Sequence, residues 1–352
     1  MMMNLPDVQG RLLSVVQEEV PLVERPFEEI GRRLGITEEE TLSHLRALHL
    51  GEPRVIRQLS AIFDTKALGY SSTLVAARVP AERLEAAAKV INRHPGVSHN
   101  YERNHRYNLW YTVAVPPDSQ LGLDKTVQAL HELSGAEQTR LMPTLKLFKI
   151  GVKLNLTGES EIAARSAGPR FTQADREAAM AHRITDEDKP VIRVLQQDLP
   201  LVPRPFDAWA QKVGVSVDSL LAAARRFVHR KQMRRFSAVL HHREAGFSAN
   251  GMGVWIVPPA QQQHFGETAA TFDAVSHCYL RPTYEDWPYT MFTMVHAPTP
   301  AECDNVLATI SAATGITDYA ALYSTREFKK TRVQYFTPET QTWEAAYLKQ
   351  QA

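Results

Sequence analysis

Nearly the same sequence is written twice in this chain of 352 residues, and a chain that repeats itself over half its length has few ways to fold. Pro21 to Phe27 reads PLVERPF and Pro200 to Phe206 reads PLVPRPF, with Phe27 and Phe206 179 positions apart. Val97 to Asn104 (VSHNYERN) returns as Val275 to Pro282 (VSHCYLRP), with His99 and His277 178 positions apart. Past those strings the spacing widens to 182, between Tyr107 in RYNLW and Tyr289 in EDWPYTMF, so the second copy carries a small insertion there. A period this long is no solenoid, whose repeats run to about 20–50 residues. It predicts two copies of one two-domain unit meeting as a two-fold dimer would, an intramolecular pseudo-dimer whose halves are free to specialise.

Composition narrows the class. Hydrophobic residues make up 44% and charged residues 22%, as in globular chains. Lys+Arg 40 against Asp+Glu 39 leaves no global field to draw in nucleic acid or an anionic membrane, so any basic site is local. No apolar run approaches the roughly 18 residues that span a bilayer, and the N-terminal MMMNLPDVQG lacks the pattern of a signal peptide. The two cysteines, Cys278 and Cys303, form no metal-ligand spacing and suit a reducing cytoplasm.

The first copy opens with three helical stretches, GRLLSVVQEE, FEEIGRRLG and ITEEETLSHLRAL, the last with Thr37 and Glu40 placed as a capping box. PRVIRQLSAIFD alternates as a wing hairpin would, to about Asp64. Strand, helix, two strands, helix and closing strands (TRLMPTLKLFKIGV) then follow in the order of a ferredoxin-like fold. The fold class is therefore α+β, a tandem repeat of winged helix-turn-helix plus ferredoxin-like domain. The expected boundaries are 1–65 winged helix, 66–155 ferredoxin-like, 156–185 linker, 186–245 winged helix, 246–337 ferredoxin-like and 338–352 C-terminal tail.

This order of domains resembles the Lrp/AsnC architecture. Within it, the strings PLVERPF, RVIRQLSAIFD, GVSHNYERNHRYNLWYT and LFKIGVKL are similar to one siroheme decarboxylase subunit, and PLVPRPF, MRRFSAVLHHREAGF, VSHCYLRPTYEDWPYTMF and EFKKTRVQYF to its paralogous partner. The whole chain thus resembles the fused NirD-NirL type of siroheme decarboxylase. The resemblance implies non-oxidative loss of two acetate carboxyl groups from siroheme, giving didecarboxysiroheme, in haem-type cofactor biosynthesis. Siroheme and its decarboxylated products are then the partners. No cofactor is expected beyond the iron tetrapyrrole itself, and no metal site of the protein's own. The same resemblance admits an amino-acid-responsive DNA-binding regulator or a haem sensor. Against DNA, Glu38, Glu39 and Glu40 stand where the first third helix would meet phosphates, although Arg225, Arg226, Arg230, Lys231, Arg234 and Arg235 make the second copy basic. Nucleic acid and membrane are not expected as partners, and further association of pseudo-dimers stays open.

Such a reaction asks for cations to hold carboxylates and for a proton source near neutral pKa, roles suited to arginine and histidine. Side chains two apart on a strand share a face, so His99, Tyr101 and Arg103 should point together, as should His277, Tyr279 and Arg281. The expected roles in each half are proton donor, hydrogen-bonding phenol and carboxylate clamp. His105 has Thr283 at the equivalent spacing and is a further candidate donor. Tyr107, Trp110, Trp287 and Tyr289 are candidates to pack on the macrocycle. Arg57, Arg234 and Arg235 could reach peripheral carboxylates from the helical domains, and Lys149 and Lys329 could line the pocket from the closing strands. The tetrapyrrole is expected between helical and ferredoxin-like domains.

Overall fold

The computed structural model describes residues 7–150, 171–240 and 249–351. In chain order, α1 (Asp7–Glu18), α2 (Pro26–Leu34), α3 (Glu38–Leu50) and β1 (Ile56–Phe63) precede β2 (Ser71–Arg78), α4 (Leu84–Asn92), β3 (Val97–Arg103), β4 (Leu109–Val115), α5 (Gly122–Ser134), β5 (Gln138–Met142) and β6 (Lys146–Ile150). The second half runs α6 (Gln173–Met180), α7 (Asp188–Leu195), α8 (Asp207–Val213), α9 (Val217–His229) and β7 (Met233–Leu240). It continues with β8 (Ala249–Trp255), α10 (Gln262–Thr271), β9 (Val275–Leu280), β10 (Met291–Ala297), α11 (Pro300–Thr314), β11 (Tyr319–Lys330) and α12 (Glu339–Gln351). Two compact units result: the helical domains of both halves form one, the ferredoxin-like domains of both halves the other.

In the helical unit the local rules work as the sequence suggests. The Thr37 hydroxyl accepts from Glu40 N at 3.2 Å while Glu40 accepts from Thr37 N at 2.8 Å, closing the capping box of α3. Gly35 and Gly214 end α2 and α8 in the left-handed region, at φ 74° and 72°, where glycine has no Cβ penalty. The expected wing hairpin is not there. β1 is a single strand that pairs antiparallel with β7 of the other half, forming a two-stranded sheet. A strand's alternation shows which face is buried but not which strand it pairs with, and here the partner is 177 residues away, Ser60 opposite Ser237.

The repeated PLV strings explain themselves at this interface. Leu22 O accepts from Arg225 Nη1 of α9 at 2.8 Å, and Leu201 O accepts from Arg46 Nη2 of α3 at 2.7 Å. Val20 N donates to Phe236 O and Leu199 N to Leu59 O, both at 2.8 Å. Each half therefore ties its inter-helix segment to the third helix and strand of the other, and Phe27 and Phe206 are fully buried beside these segments.

The segment 156–185, expected as a linker, lies outside the described residues as far as 170, but Gln173–Met180 is a helix. Its Arg176 reaches Asp64, just past β1, with Nη2 to Oδ2 at 2.6 Å and Nε to both oxygens at 3.2 Å. Asp64 is 2% exposed and also accepts from the backbone of Lys66 and Ala67. Burial opposes its charge, yet the guanidinium and these donors hold its pKa below the usual value.

The ferredoxin-like unit is built on a nine-stranded sheet in the order β5-β2-β4-β3-β11-β8-β10-β9-β6. β11 serves both halves: Tyr319 to Tyr323 pair with β8, and Ser324 to Lys330 with β3. The corresponding stretch of the first half is divided, β5 pairing with β2 and β6 with β9. Pro143, which cannot donate to a ladder, stands at the break where the second copy has Tyr323. The closing strands thus leave their own half and complete the other's sheet. Helices α4 and α5 cover one face of the first half around Val75, Leu109, Tyr111 and Val113, and α10 and α11 cover the second around Trp255, Val275, Met291 and Val295. The opposite, helix-free faces share one core in which Trp110 and Met142 meet Trp287, Phe292 and Leu322.

Residues 338–352, expected as a tail, are largely the helix α12, and it packs on the first half of this unit. Glu344, fully buried, accepts from Ser119 Oγ and, at 2.9 Å, from Gln120 N. Trp343 meets the ring of His94 at 4.5 Å, edge to face. His94 accepts from Gly96 N at Nδ1, its Nε2 is buried without a hydrogen-bond partner, and Lys329 is near. Burial, then the lysine charge, pull its pKa down to about 4.

Arg176→Ala strands Asp64 and should destabilise the helical unit by about 3–5 kcal/mol; an unchanged denaturant midpoint would contradict this. Because His94 binds its proton more weakly folded than unfolded, stability should fall by ~3 kcal/mol as pH drops from about 6.5 to about 4. His94→Phe should flatten that interval in a urea series taken across pH, and an unaltered slope would count against it.

Candidate active site

β3 and β9 carry the repeated histidine strings, and each has the same irregularity. Val97 pairs with Val113 and His99 with Thr112, leaving Ser98 as an extra residue. Val275 pairs with Val295 and His277 with Met294, leaving Ser276. A bulge of this kind re-aims the neighbouring side chain. Here it brings the serine hydroxyl to the histidine ring, Ser98 Oγ to His99 Nδ1 at 3.0 Å and Ser276 Oγ to His277 Nδ1 at 2.8 Å.

Beyond the bulge the strands alternate. Asn100 is buried against α4, bonding Asn92 Oδ1 at 3.0 Å, and Cys278 is buried in the helix-side core. His99, Tyr101 and Arg103 therefore share the helix-free face, as do His277, Tyr279 and Arg281. The ring centroids of His99 and Tyr101 are 6.1 Å apart and those of His277 and Tyr279 5.8 Å. Arg103 lies 5.9 Å over Tyr101 and Arg281 4.8 Å over Tyr279. Both triplets have the same internal arrangement.

The two arginines are the unusual members. Arg103 is 4% and Arg281 8% exposed. Each gives one Nη1 hydrogen bond to the closing strand, Arg103 to Leu322 O at 2.7 Å and Arg281 to Met142 O. Each keeps a buried Nε without a partner, and no carboxylate among the described residues forms an ion pair with either. Burial pulls both pKa values down to about 10, so each cation is held at a cost at neutral pH. A buried guanidinium with unused donors is chemically an anion receptor.

The surroundings differ between halves. Opposite His99 and Tyr101 on β11 stand Lys330 and Glu327, 4.0 Å from each other. Opposite His277 and Tyr279 on β6 stand Ile150 and Leu147. Ser98 bonds the Thr112 hydroxyl at 2.8 Å, whereas Ser276 bonds His296 Nε2 at 3.0 Å.

Other candidates fall elsewhere. Lys149 and Lys329 are on the helix side of the sheet, where they donate to Phe272 O (2.7 Å) and Asn92 O (2.8 Å) at the ends of α10 and α4. They cap helices rather than line the face that carries the histidines. Tyr107, Trp110 and Trp287 are 0–1% exposed and pack on one another as core, with Trp287 5.3 Å from Trp110 and 6.0 Å from Tyr107, so they offer no open ring face to a macrocycle. Tyr289 is half-buried at 5.0 Å from Trp287. His105 accepts from Tyr107 N and sits edge-on to Trp287 at 5.2 Å; burial, then Arg106, lower its pKa. Arg57, Arg234 and Arg235 belong to the helical unit, Arg57 and Arg234 at the two bulges of the β1 and β7 pairing.

Ser98, Ser276, His296, Glu327 and Asp286 stand at or beside the triplets and the seam between halves without being expected from sequence. Both serines precede the histidine in the repeated VSH and were legible there. His296 is visible only once the strands are aligned at the wider spacing of 182, where it replaces Ala114. Asp286 lies in the insertion of the second copy and joins the halves: Tyr107 OH and Arg106 donate to it, and Arg140 Nε does so at 3.2 Å.

Fold and site together define a duplicated AsnC-type protein with paired helical and ligand-binding domains. The model of the AsnC-like ligand binding domain matches residues 67–149 and 244–329, and that of the siroheme decarboxylase NirDL-like HTH domain matches 9–57 and 188–234. The siroheme decarboxylase of Hydrogenobacter thermophilus is 37% identical over 333 residues, covering 95% of this chain and 96% of that protein. The siroheme decarboxylase beta subunit of Methanosarcina barkeri is 42% identical over 147 residues, 42% of this chain and 97% of that subunit. The crystal structure of the siroheme decarboxylase NirDL in co-complex with an iron-uroporphyrin III analogue superposes with a TM-score of 0.75 at 32% identity, covering 98% of this chain and 100% of that one. The chain belongs to the siroheme decarboxylase family, in its fused NirDL form.

A buried cation without an ion-pair partner among the described residues predicts its own signature in the protein alone. The depression of the Arg103 pKa from 12.5 to about 10 corresponds to ~3 kcal/mol at neutral pH, against about 1 kcal/mol for the lost bond to Leu322 O. Arg103→Met should therefore leave the thermal midpoint unchanged or raise it. A fall of several degrees would make the guanidinium a structural element.

Proposed function

We propose that this chain is a carboxy-lyase that removes two acetate carboxyl groups from siroheme, without net oxidation, to give didecarboxysiroheme. The observation that carries the reading is the pair of His-Tyr-Arg triplets on the helix-free faces, each with a buried guanidinium that no carboxylate among the described residues pairs with. Siroheme is rich in carboxylates, and an arginine fork binds a carboxylate through paired N–H donors. In each decarboxylation the bond from the methylene to the carboxyl carbon breaks, its electron pair enters the macrocycle, and carbon dioxide leaves. A proton delivered to the ring system lets that pair flow inward, and when a second proton adds at the former methylene carbon to complete the methyl group the ring system gives its own proton back. One proton is consumed per carbon dioxide, so no external oxidant or reductant is required, and no cofactor is assigned beyond the iron tetrapyrrole.

His99 and His277 are assigned as proton donors, Tyr101 and Tyr279 as hydrogen-bonding phenols, and Arg103 and Arg281 as clamps on the carboxylates. The serine at each bulge orients its histidine. The two buried thiols, Cys278 and Cys303, fit a reducing cytoplasm, to which we assign the protein. No helix among the described residues is long and apolar enough to cross a membrane.

Anaerobic incubation with siroheme, followed by mass analysis of the extracted tetrapyrrole, tests the reading. The expected result is loss of two carbon dioxide units with no redox cofactor added; siroheme that is retained unchanged would make the chain a carrier. His99→Ala or His277→Ala at a working donor should lower the single-turnover rate about 10²–10⁴-fold while leaving siroheme affinity nearly intact. Arg103→Ala and Arg281→Ala should weaken affinity first, and wild-type affinity in both would remove them from the clamp.

A further inference from the structure

The two triplets are alike, but what stands behind their histidines is not. In the second half three groups are in line: His296 Nε2 is 3.0 Å from Ser276 Oγ, and Ser276 Oγ is 2.8 Å from His277 Nδ1. His296 shares the helix-free face with His277, one strand over, and its backbone N–H donates to Ala274 O at 3.0 Å. In the first half, Ala114 stands at the position of His296, and the Ser98 hydroxyl turns instead to Thr112, at 2.8 Å. A threonine hydroxyl can pass a hydrogen bond along but cannot hold an extra proton at neutral pH, whereas an imidazole can.

Accepting the decarboxylase reading above, on which this rests, we propose that His296 is the proton reservoir of the second half and acts through Ser276 on His277. A neutral imidazole that gives up its Nε2 proton would be left as an imidazolate unless Nδ1 gains a proton in the same event. The line of groups supplies one: His277 Nε2–H goes to substrate carbon, Ser276 Oγ–H goes to His277 Nδ1, and His296 Nε2–H of the imidazolium goes to Ser276 Oγ. Three N–H or O–H bonds break, and two such bonds and one C–H bond form. One positive charge is lost from His296, and His277 ends neutral as it began, its other tautomer. Opposite His277 and Tyr279 stand the apolar Ile150 and Leu147, where the first half has Lys330 and Glu327 opposite His99 and Tyr101. Ser276 is 3% exposed, so water does not readily substitute for it.

His296 is thus a positioning and proton-holding residue, one hydroxyl removed from the donor. The test uses the full-length chain with siroheme under anaerobic single-turnover conditions, alongside absorbance titrations of siroheme affinity. His296→Ala should slow the decarboxylation that depends on His277 about 10–100-fold, the size of effect that residues behind a catalytic group commonly have, with affinity changed less than about twofold. His296→Gln can still bond the Ser276 hydroxyl but cannot release a proton, so it should remain slow, and added imidazole should partly restore the alanine variant. Ser276→Ala combined with His296→Ala should be no slower than the worse single variant, because both break one line.

Full activity in His296→Gln would overturn the reservoir role, since hydrogen bonding alone would then suffice. So would wild-type rates in His296→Ala, or a loss of affinity as large as the loss of rate. A wild-type chain that releases no carbon dioxide would overturn the decarboxylase reading and this proposal together, whereas wild-type turnover beside an unaffected His296→Ala would overturn this proposal alone.

Discussion

Everything at the candidate site depends on an exchange of strands. β3, with His99, Tyr101 and Arg103, is hydrogen-bonded to β11 of the second half, and β9, with His277, Tyr279 and Arg281, to β6 of the first. Neither histidine strand has its outer partner without the other half. The carbonyls that receive Arg103 and Arg281, at Leu322 and Met142, also come from across the exchange. The helical unit repeats the principle with different groups, as α3 and α9 each send an arginine to the PLV segment of the opposite half. Duplication thus supplies two candidate sites and also makes each a joint product of both copies.

Local defects in the ladder then set the geometry of the candidate residues. A regular strand at Val97 or Val275 would put the serine and histidine on opposite faces. The bulge lets the serine reach the imidazole while the alternation that follows sends tyrosine and arginine to the same face. The buried guanidiniums, without an ion-pair partner among the described residues, are the energetic counterpart of that geometry: each is tolerated because helices, sheet and aromatic core elsewhere in the unit contribute far more than one buried cation costs.

Much of this was legible in the sequence, because it is carried by local rules. The repeat spacing exposed the pseudo-dimer, Thr37 and Glu40 announced the start of α3, and the two-residue spacing put His99, Tyr101 and Arg103 on one face. What could not be read depends on partners remote in sequence. β1 alternates like a wing yet pairs with β7, and TRLMPTLKLFKI reads as closing strands without showing that Pro143 divides them between two sheets. Lys149 and Lys329 look like pocket cations until the bulges at Phe148 and Phe328 turn them to the helix side. Tyr107, Trp110 and Trp287 were candidates for ring stacking, and they are core because an aromatic ring at a buried position fills space between the two faces.

The insertion that carries Asp286 has a bearing on which halves can meet. Its carboxylate is met by Tyr107 and Arg140, and its carbonyl by Arg106, all from the first copy. Aligned on the repeat, Arg140 corresponds to Ala320 in the second copy, and the first copy has no residue in place of Asp286. Two first halves brought together would leave the arginines with no acid to face, and two second halves would set Asp286 against alanine. A first half facing a second therefore makes contacts at Asp286 that two like halves lack, which favours the mixed pairing. That discrimination would guard a nascent polypeptide against pairing with the wrong half of a neighbour on the same messenger.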